Sequence, residues 1–201
     1  MITAGLTGGL ASGKSFVGQI LADLGCIVIR ADELGHRALA KDGEAYGSVV
    51  ELFGRNILNT DGEIDRKRVA SEVFKDAEKL KHLNMLVHPI VFKMEEELLA
   101  EAERRDPEAI GIIEAAILLE TGSYQRFDRL ILVACSSEQQ LARAMARGLT
   151  RDEALLRIAR QMPLEEKRKF ADFTIDTSGA MEETAAQTRA VYQQLRSLKQ
   201  S

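Results

Sequence analysis

Cysteine is scarce in this chain: only Cys26 and Cys135 occur among 201 residues. Each borders an apolar run and neither has a paired metal-ligand spacing, so a disulfide framework is excluded and two buried thiols in a reducing compartment are predicted. Long apolar runs are missing as well: nothing approaches the ~18 residues of a membrane-spanning helix, and the first residues, Met1 to Thr7, carry no basic start. A basic excess is absent too, with 27 Lys and Arg against 31 Asp and Glu and a formal charge of −4 spread along the chain. That balance disfavours nucleic acid as the main partner. No internal repeat or low-complexity tail is found, and nothing points to an obligate protein partner. The expectation is a cytoplasmic protein with no membrane partner, long enough to bury a full core without staples.

What is present is a set of short apolar runs: Ile2 to Leu6, Ile27 to Arg30, Ala109 to Ile113, Leu130 to Ala134 and Phe173 to Ile175. They are almost continuously apolar, and most are separated from the next by helical periodicity. This pattern predicts an α/β fold with a doubly wound, five-stranded parallel sheet flanked by helices and joined by right-handed crossovers. About eighty residues separate the second run from the third, with turn signals at Lys41-Asp42-Gly43 and Thr60-Asp61-Gly62. An inserted helical subdomain is expected there, including a helix over Asp76 to Val87 and another that starts at Pro89 and runs to about Arg105. Glu95-Glu96-Glu97 reads as a solvated face, and Lys167-Arg168-Lys169 as the polar side of a short helix. After the fourth run, Ser137-x-x-Gln140 and Thr150-x-x-Glu153 have capping-box spacing, predicting two helices joined near Gly148. Met181 to Leu198 reads as a closing helix with Val191, Leu195 and Leu198 on one stripe.

Gly8-Gly9-Leu10-Ala11-Ser12-Gly13-Lys14-Ser15 fits G-x-x-x-x-G-K-[ST], directly after an apolar strand and before a helical pattern. Glycines let the backbone wrap round phosphates and aim amide groups and the positive helix end at them. Lys14 is expected to neutralise the β and γ oxygens and the Ser15 hydroxyl to ligate magnesium. The motif therefore predicts an ATP-dependent small-molecule kinase.

Asp32 follows the second apolar run, and ligands of parallel α/β sheets bind beyond the carboxyl ends of the strands, so it is a candidate to orient an acceptor hydroxyl. It also fits a helix N-cap. Asp32-Glu33-Leu34-Gly35 matches the D-x-x-G of regulatory GTPases, but it falls on the second strand instead of the third, and no N-K-x-D occurs in the chain.

The ordered set of motifs resembles the dephospho-coenzyme A kinase family across almost the whole chain. It comprises Leu6-Thr7-Gly8-Gly9, Leu24-Gly25, Ala31-Asp32, Phe53-Gly54, Asp61-Gly62 with Asp65-Arg66, Leu83-Asn84 and His88-Pro89. It continues with Leu118-Leu119-Glu120, Arg143 and Arg147, Gln161, Ala171-Asp172, and Ile175-Asp176 before Gly179. The resemblance implies a P-loop kinase fold that uses ATP and Mg2+ to phosphorylate the ribose 3′-hydroxyl of dephospho-coenzyme A, the last step of coenzyme A synthesis. Another P-loop kinase, acting on nucleoside monophosphates, is the nearest rival. The chain departs from the usual pattern at Ala11 for Gly, Phe16 for Thr, Arg30 for Asp, Ala116 for Pro and Thr177 for Asn.

The implied layout is a single kinase domain: a core over about 1–31, 107–136 and 170–201, an acceptor-binding helical insertion over about 32–106 and a lid over about 137–169. The implied nucleotide contacts are Gly8, Gly9, Ala11, Ser12, Gly13, Lys14, Ser15 and Phe16. Asp32, Lys14, Arg143 and Arg147 are the catalytic candidates; the two arginines are four apart and are expected to share one helix face, with ordinary surface charge as the alternative. Asp32, Arg66 and His88 are the acceptor-binding candidates, with structural roles equally open for Arg66 and His88. Ser15 and, through a bound water, Glu114 are the magnesium candidates, and Glu120 is read as ordering the loop that follows it.

Overall fold

The computed structural model describes residues 1–198. Two compact units are present: Met1–Arg30 with the described part of Glu101–Ser201, and Ala31–Ala100.

In the first unit, β1 (Ile2–Gly8), β2 (Ile27–Arg30), β3 (Ile110–Glu114), β4 (Arg129–Ala134) and β5 (Phe173–Asp176) form one sheet in the order β2-β3-β1-β4-β5. All four pairings are parallel. Burial on both faces explains the continuous apolar runs of the central strands β1, β3 and β4, whereas the edge strands β2 and β5 are partly exposed. On one face Ala4, Leu6, Ile110, Ile112, Ile131, Val133 and Ile175 pack against Val17 and Leu21 of α1 (Lys14–Asp23) and Val191 and Leu195 of α9 (Met181–Leu198). On the other, Gly5 makes room: a Cβ there would lie 2.7 Å from Leu118 and 2.9 Å from Phe127. Leu198 is exposed, so the expected α9 stripe stops at Leu195 and is completed upstream by buried Thr184 and Thr188.

After β4 come α6 (Ser137–Ala146), α7 (Arg151–Ala159) and α8 (Leu164–Arg168). The second capping box is where the spacing puts it, at Thr150 and Glu153. The first is one residue earlier than expected: Ser136, not Ser137, caps α6 with Gln139. A cap needs extended backbone, which Ser136 has (φ −64, ψ 154) while Ser137 is already helical. Gly148 joins the two helices at φ +92. Lys167, expected on a polar face, is only 1% exposed.

The second unit contains α2 (Ala31–Ala38), α3 (Tyr46–Phe53), α4 (Arg66–Lys75) and α5 (Ala77–Arg105), whose last turn passes into the first unit. Its core gathers Ala38, Ala45, Val49, Ile57 and Val69, against which Leu83, Leu86, Val87 and Ile90 of α5 pack. This burial explains a correction. Pro89 does not start a helix but lies inside α5, where a proline forfeits one backbone bond and costs roughly 3 kcal/mol. Apolar contacts on both sides of Pro89 offset that cost by holding the helix continuous. Glu95, expected in solvent, is buried, while Glu96 and Glu97 are exposed. It sits one turn after buried Val91 and therefore shares its inward face. Among the described residues, no helix is long and apolar enough to cross a membrane.

Candidate active site

The phosphate loop leaves the carboxyl end of β1 and enters α1. Gly8 is still in the strand, paired with Val133, and a Cβ at this position would lie 2.3 Å from the Val133 carbonyl oxygen. Gly13, the N-cap of α1, has φ +96. Ala11 is the one non-glycine with positive φ among the described residues, at 53°, a conformation that costs an L-residue roughly 1–2 kcal/mol. The departure from glycine at Ala11 is therefore accommodated with strain in the loop. Lys14 Nζ donates to the carbonyls of Gly8 (3.1 Å) and Gly9 (3.3 Å), so the ammonium lies over the loop. Ser15 falls in the first turn of α1, where a helix leaves amide groups without intrahelical acceptors, whereas the Phe16 N–H donates to the Gly13 carbonyl at 3.0 Å.

Glu114 is the last residue of β3, paired in register with Arg30 of β2 and Leu6 of β1. Its Oε1 accepts the Ser15 hydroxyl at 3.1 Å. Oε2 has no hydrogen-bond partner, although Arg30 Nε lies 3.5 Å away as an ion pair. Gly18 of α1 leaves space for this carboxylate, since a Cβ there would be 2.8 Å from Oε2. A buried carboxylate with one unfilled oxygen beside a hydroxyl is a hard-oxygen donor pair, which suits Mg2+. Among the described residues no group of three His, Cys, Asp or Glu could hold a metal, so a cation here would need oxygens from a bound phosphate chain.

Arg143 of α6 donates to the Thr177 hydroxyl (3.0 Å) and carbonyl (2.6 Å). The Thr177 hydroxyl in turn donates to the Ser12 carbonyl of the loop at 2.6 Å. Thr177, where Asn is frequent, thus ties β5 to both the loop and α6. Arg147 is not on the same helix: α6 ends at Ala146, and Arg147 is its exposed C-cap, because the chain turns at Gly148. Its guanidinium has no partner among the described residues.

Three residues that sequence reading left without a role in the loop, Gln140, Gln161 and Lys167, stand near it. A Cβ on Gly9 would lie 2.7 Å from Gln140 Nε2. Leu10 N–H donates to Gln161 Oε1 at 2.8 Å. Lys167 Nζ is 2.8 Å from Glu120 Oε1, an ion pair without the alignment of a hydrogen bond. Glu120 Oε1 also accepts Met162 N–H at 3.0 Å, so its side chain reaches the turn that follows α7. Only the spacing of Gln161 within the family-like motifs signalled any of this.

In the second unit, Asp32 lies in the first turn of α2, two residues past the end of β2, and is exposed. Because α2 starts at Ala31, Asp32 is not the N-cap. Arg66 opens α4 and meets the ring of His36 from α2. The two line a cavity of about 250 Å³ with Lys41 and Glu63. His36 was not singled out in the sequence because nothing local distinguishes it. His88 stacks against Phe92, with ring centroids 5.8 Å apart, and burial pushes its pKa below the ordinary value. This supports its structural reading.

A family model described as dephospho-CoA kinase matches residues 2–183. The chain belongs to the dephospho-CoA kinase family. It is 41% identical over 191 residues to the dephospho-CoA kinase of Aquifex aeolicus, covering 95% of this chain and 96% of that one. To the Geobacter sulfurreducens dephospho-CoA kinase it is 44% identical, covering 89% and 91%. Among solved structures it resembles TT1252 from Thermus thermophilus, with TM-score 0.81 and 36% identity over 96% of this chain and 97% of that one. The dephospho-CoA kinase from Campylobacter jejuni superposes with TM-score 0.72 at 25% identity, covering 98% of each. A shikimate kinase from Acinetobacter baumannii shares the fold alone, at 16% identity and TM-score 0.51 over 100% and 96% of the two chains. This dephospho-CoA kinase family member is thus an enzyme with the P-loop kinase fold, a phosphotransferase with an alcohol group as acceptor.

Proposed function

We propose that this protein transfers the γ-phosphoryl group of ATP to the ribose 3′-hydroxyl of dephospho-CoA, giving CoA and ADP in the cytoplasm. The observation that carries the reading is the phosphate loop itself, with Lys14 over the Gly8 and Gly9 carbonyls at the carboxyl edge of the sheet, in a chain of this family. The loop backbone from Gly8 to Phe16 cradles the phosphates, with the Leu10 amide held instead by Gln161, and Lys14 offsets charge on the β and γ oxygens. Because phosphoryl transfer requires little covalent chemistry from the protein, positioning and charge supply most of the acceleration.

Asp32 orients the acceptor hydroxyl and takes its proton as the new O–P bond forms and the bond from Pγ to the β-phosphate oxygen breaks. Its exposed carboxylate, just past the end of β2, supports that role. Ser15 and, through water, Glu114 would hold Mg2+, which would supply charge neutralisation on the transferring phosphate. Arg143 and Arg147 add cationic charge. Arg143 does so from an anchored position on Thr177, and Arg147 from an exposed one. Arg66, with His36 and Lys41 beside it, forms a basic pocket suited to the acceptor's phosphates. The helical insertion that carries Asp32 and Arg66 receives the acceptor, and α6 to α8 act as the lid.

The test is ADP release with magnesium ATP, comparing dephospho-CoA with adenosine monophosphate and weighing the product. Release that requires dephospho-CoA, with one phosphate added, is expected. Turnover with the monophosphate alone would overturn the acceptor assignment and leave only the phosphate loop.

A further inference from the structure

The turn after α7 lies 151 residues from Leu10 in sequence, yet it makes a direct bond to the phosphate loop. Gln161 Oε1 accepts the Leu10 N–H at 2.8 Å, in a partly buried setting. Leu10 follows the two glycines that give the loop its freedom, so its amide has no regular secondary structure to hold it. Gln161 is itself held. The next residue, Met162, donates its N–H to Glu120, and Glu120 is neutralised by Lys167, which is 1% exposed. Gln161, Met162 and Lys167 also wall a cavity of about 290 Å³ with Gly9 and Gln140. The outer side of the loop is therefore braced by side chains, and the bond from Gln161 fixes one loop amide directly.

We infer that Gln161 is a positioning residue for the ATP phosphates. By holding the Leu10 N–H it sets the path of the loop between Gly9 and Ser12, and the ion pair of Glu120 with buried Lys167 holds the neighbouring Met162 and so keeps Gln161 in place. The inference rests on the reading of Gly8–Ser15 as the ATP phosphate cradle. Losing one such hydrogen bond while keeping the volume costs a factor of roughly 5–10 in an equilibrium.

The experiment compares wild type with Gln161→Met, which keeps length and packing but has no acceptor for Leu10. KM for ATP, KM for dephospho-CoA, thermal midpoint and hydrogen exchange at the Leu10 amide are measured. The expected result is a rise of about 5- to 10-fold in KM for ATP and faster Leu10 exchange, with KM for dephospho-CoA within twofold of wild type. A KM for ATP within twofold of wild type overturns the inference. So does a parallel rise in both KM values with a lower thermal midpoint, the signature of a purely structural residue. Lys14→Ala in the same assay separates the two readings: if it retains ATP binding, the cradle itself is misassigned and the inference falls with it, whereas an unchanged Gln161→Met beside a dead Lys14→Ala removes Gln161 alone.

Discussion

The two compact units build their candidate sites in different ways. In the first, the phosphate cradle is a contiguous stretch, Gly8 to Phe16, made mostly of backbone and anchored to strands whose inward residues are fully buried, such as Ala4, Leu6 and Ile112. In the second, the candidate residues Asp32 and His36, Arg66, and His88 are side chains on three helices, α2, α4 and α5, held by a cluster of smaller apolar contacts around Ala38, Val49 and Val69. A backbone-made anion site needs a short stretch with defined φ and ψ, so it leaves a local motif. A side-chain pocket is defined only once its helices have packed.

Substitutions should divide along the same line, with those in the first unit acting on ATP and those in the second on the acceptor. The largest effect is expected from Asp32→Asn, which removes the proposed proton acceptor. Turnover should fall about 10²- to 10⁴-fold with ATP affinity unchanged in a nucleotide-binding assay, and near-normal turnover would take Asp32 out of the mechanism. Lys14→Ala should lower kcat/KM on the order of 10²- to 10³-fold and weaken ATP binding in the same titration; retention of both would break the contrast from the other side. Arg66→Ala is expected to raise KM for dephospho-CoA about 10-fold, the scale of one charge-assisted hydrogen bond, and to leave KM for ATP alone. A shift in ATP instead would mean that the pocket of Arg66 and His36 does not belong to the acceptor.

The smallest effect concerns stability. Burial lowers the pKa of His88 from its ordinary 6.5, so below that pH the unfolded chain binds a proton that the folded one resists. The fold is therefore penalised as pH falls through about 6.5. Urea midpoints of the wild type should drop between pH 7 and pH 5.5 by more than those of His88→Gln. Equal drops would show that His88 is not the group responsible.

Much of the first unit was legible from local pattern. Five apolar runs marked the five strands to within two residues at their ends, because the central strands, covered on both faces, must be apolar throughout and the edge strands still turn apolar residues to the core. The second capping box and the α9 boundaries were equally readable, since caps and periodicity are local. Pro89, Glu95 and Lys167 were misread for a common reason. Each breaks a local rule, as a proline within a helix or a charge in the interior, and only a specific packing environment or ion pair permits it. Gln161 was visible only as part of a resemblance, because its bond to Leu10 spans most of the chain.

The sequence by itself determined the phosphate loop, its placement between a strand and a helix, the parallel sheet and, through the ordered motifs, the family. These follow from glycine conformations, hydrophobic period and spacing, all encoded within a few residues. The tertiary structure alone decided that Glu114 meets Ser15 and Arg30, that Thr177 joins Arg143 to Ser12, and that Gln161 braces Leu10. Each joins groups distant in sequence, and a side-chain bond between distant segments exists only after the burial of apolar surface has fixed where those segments lie.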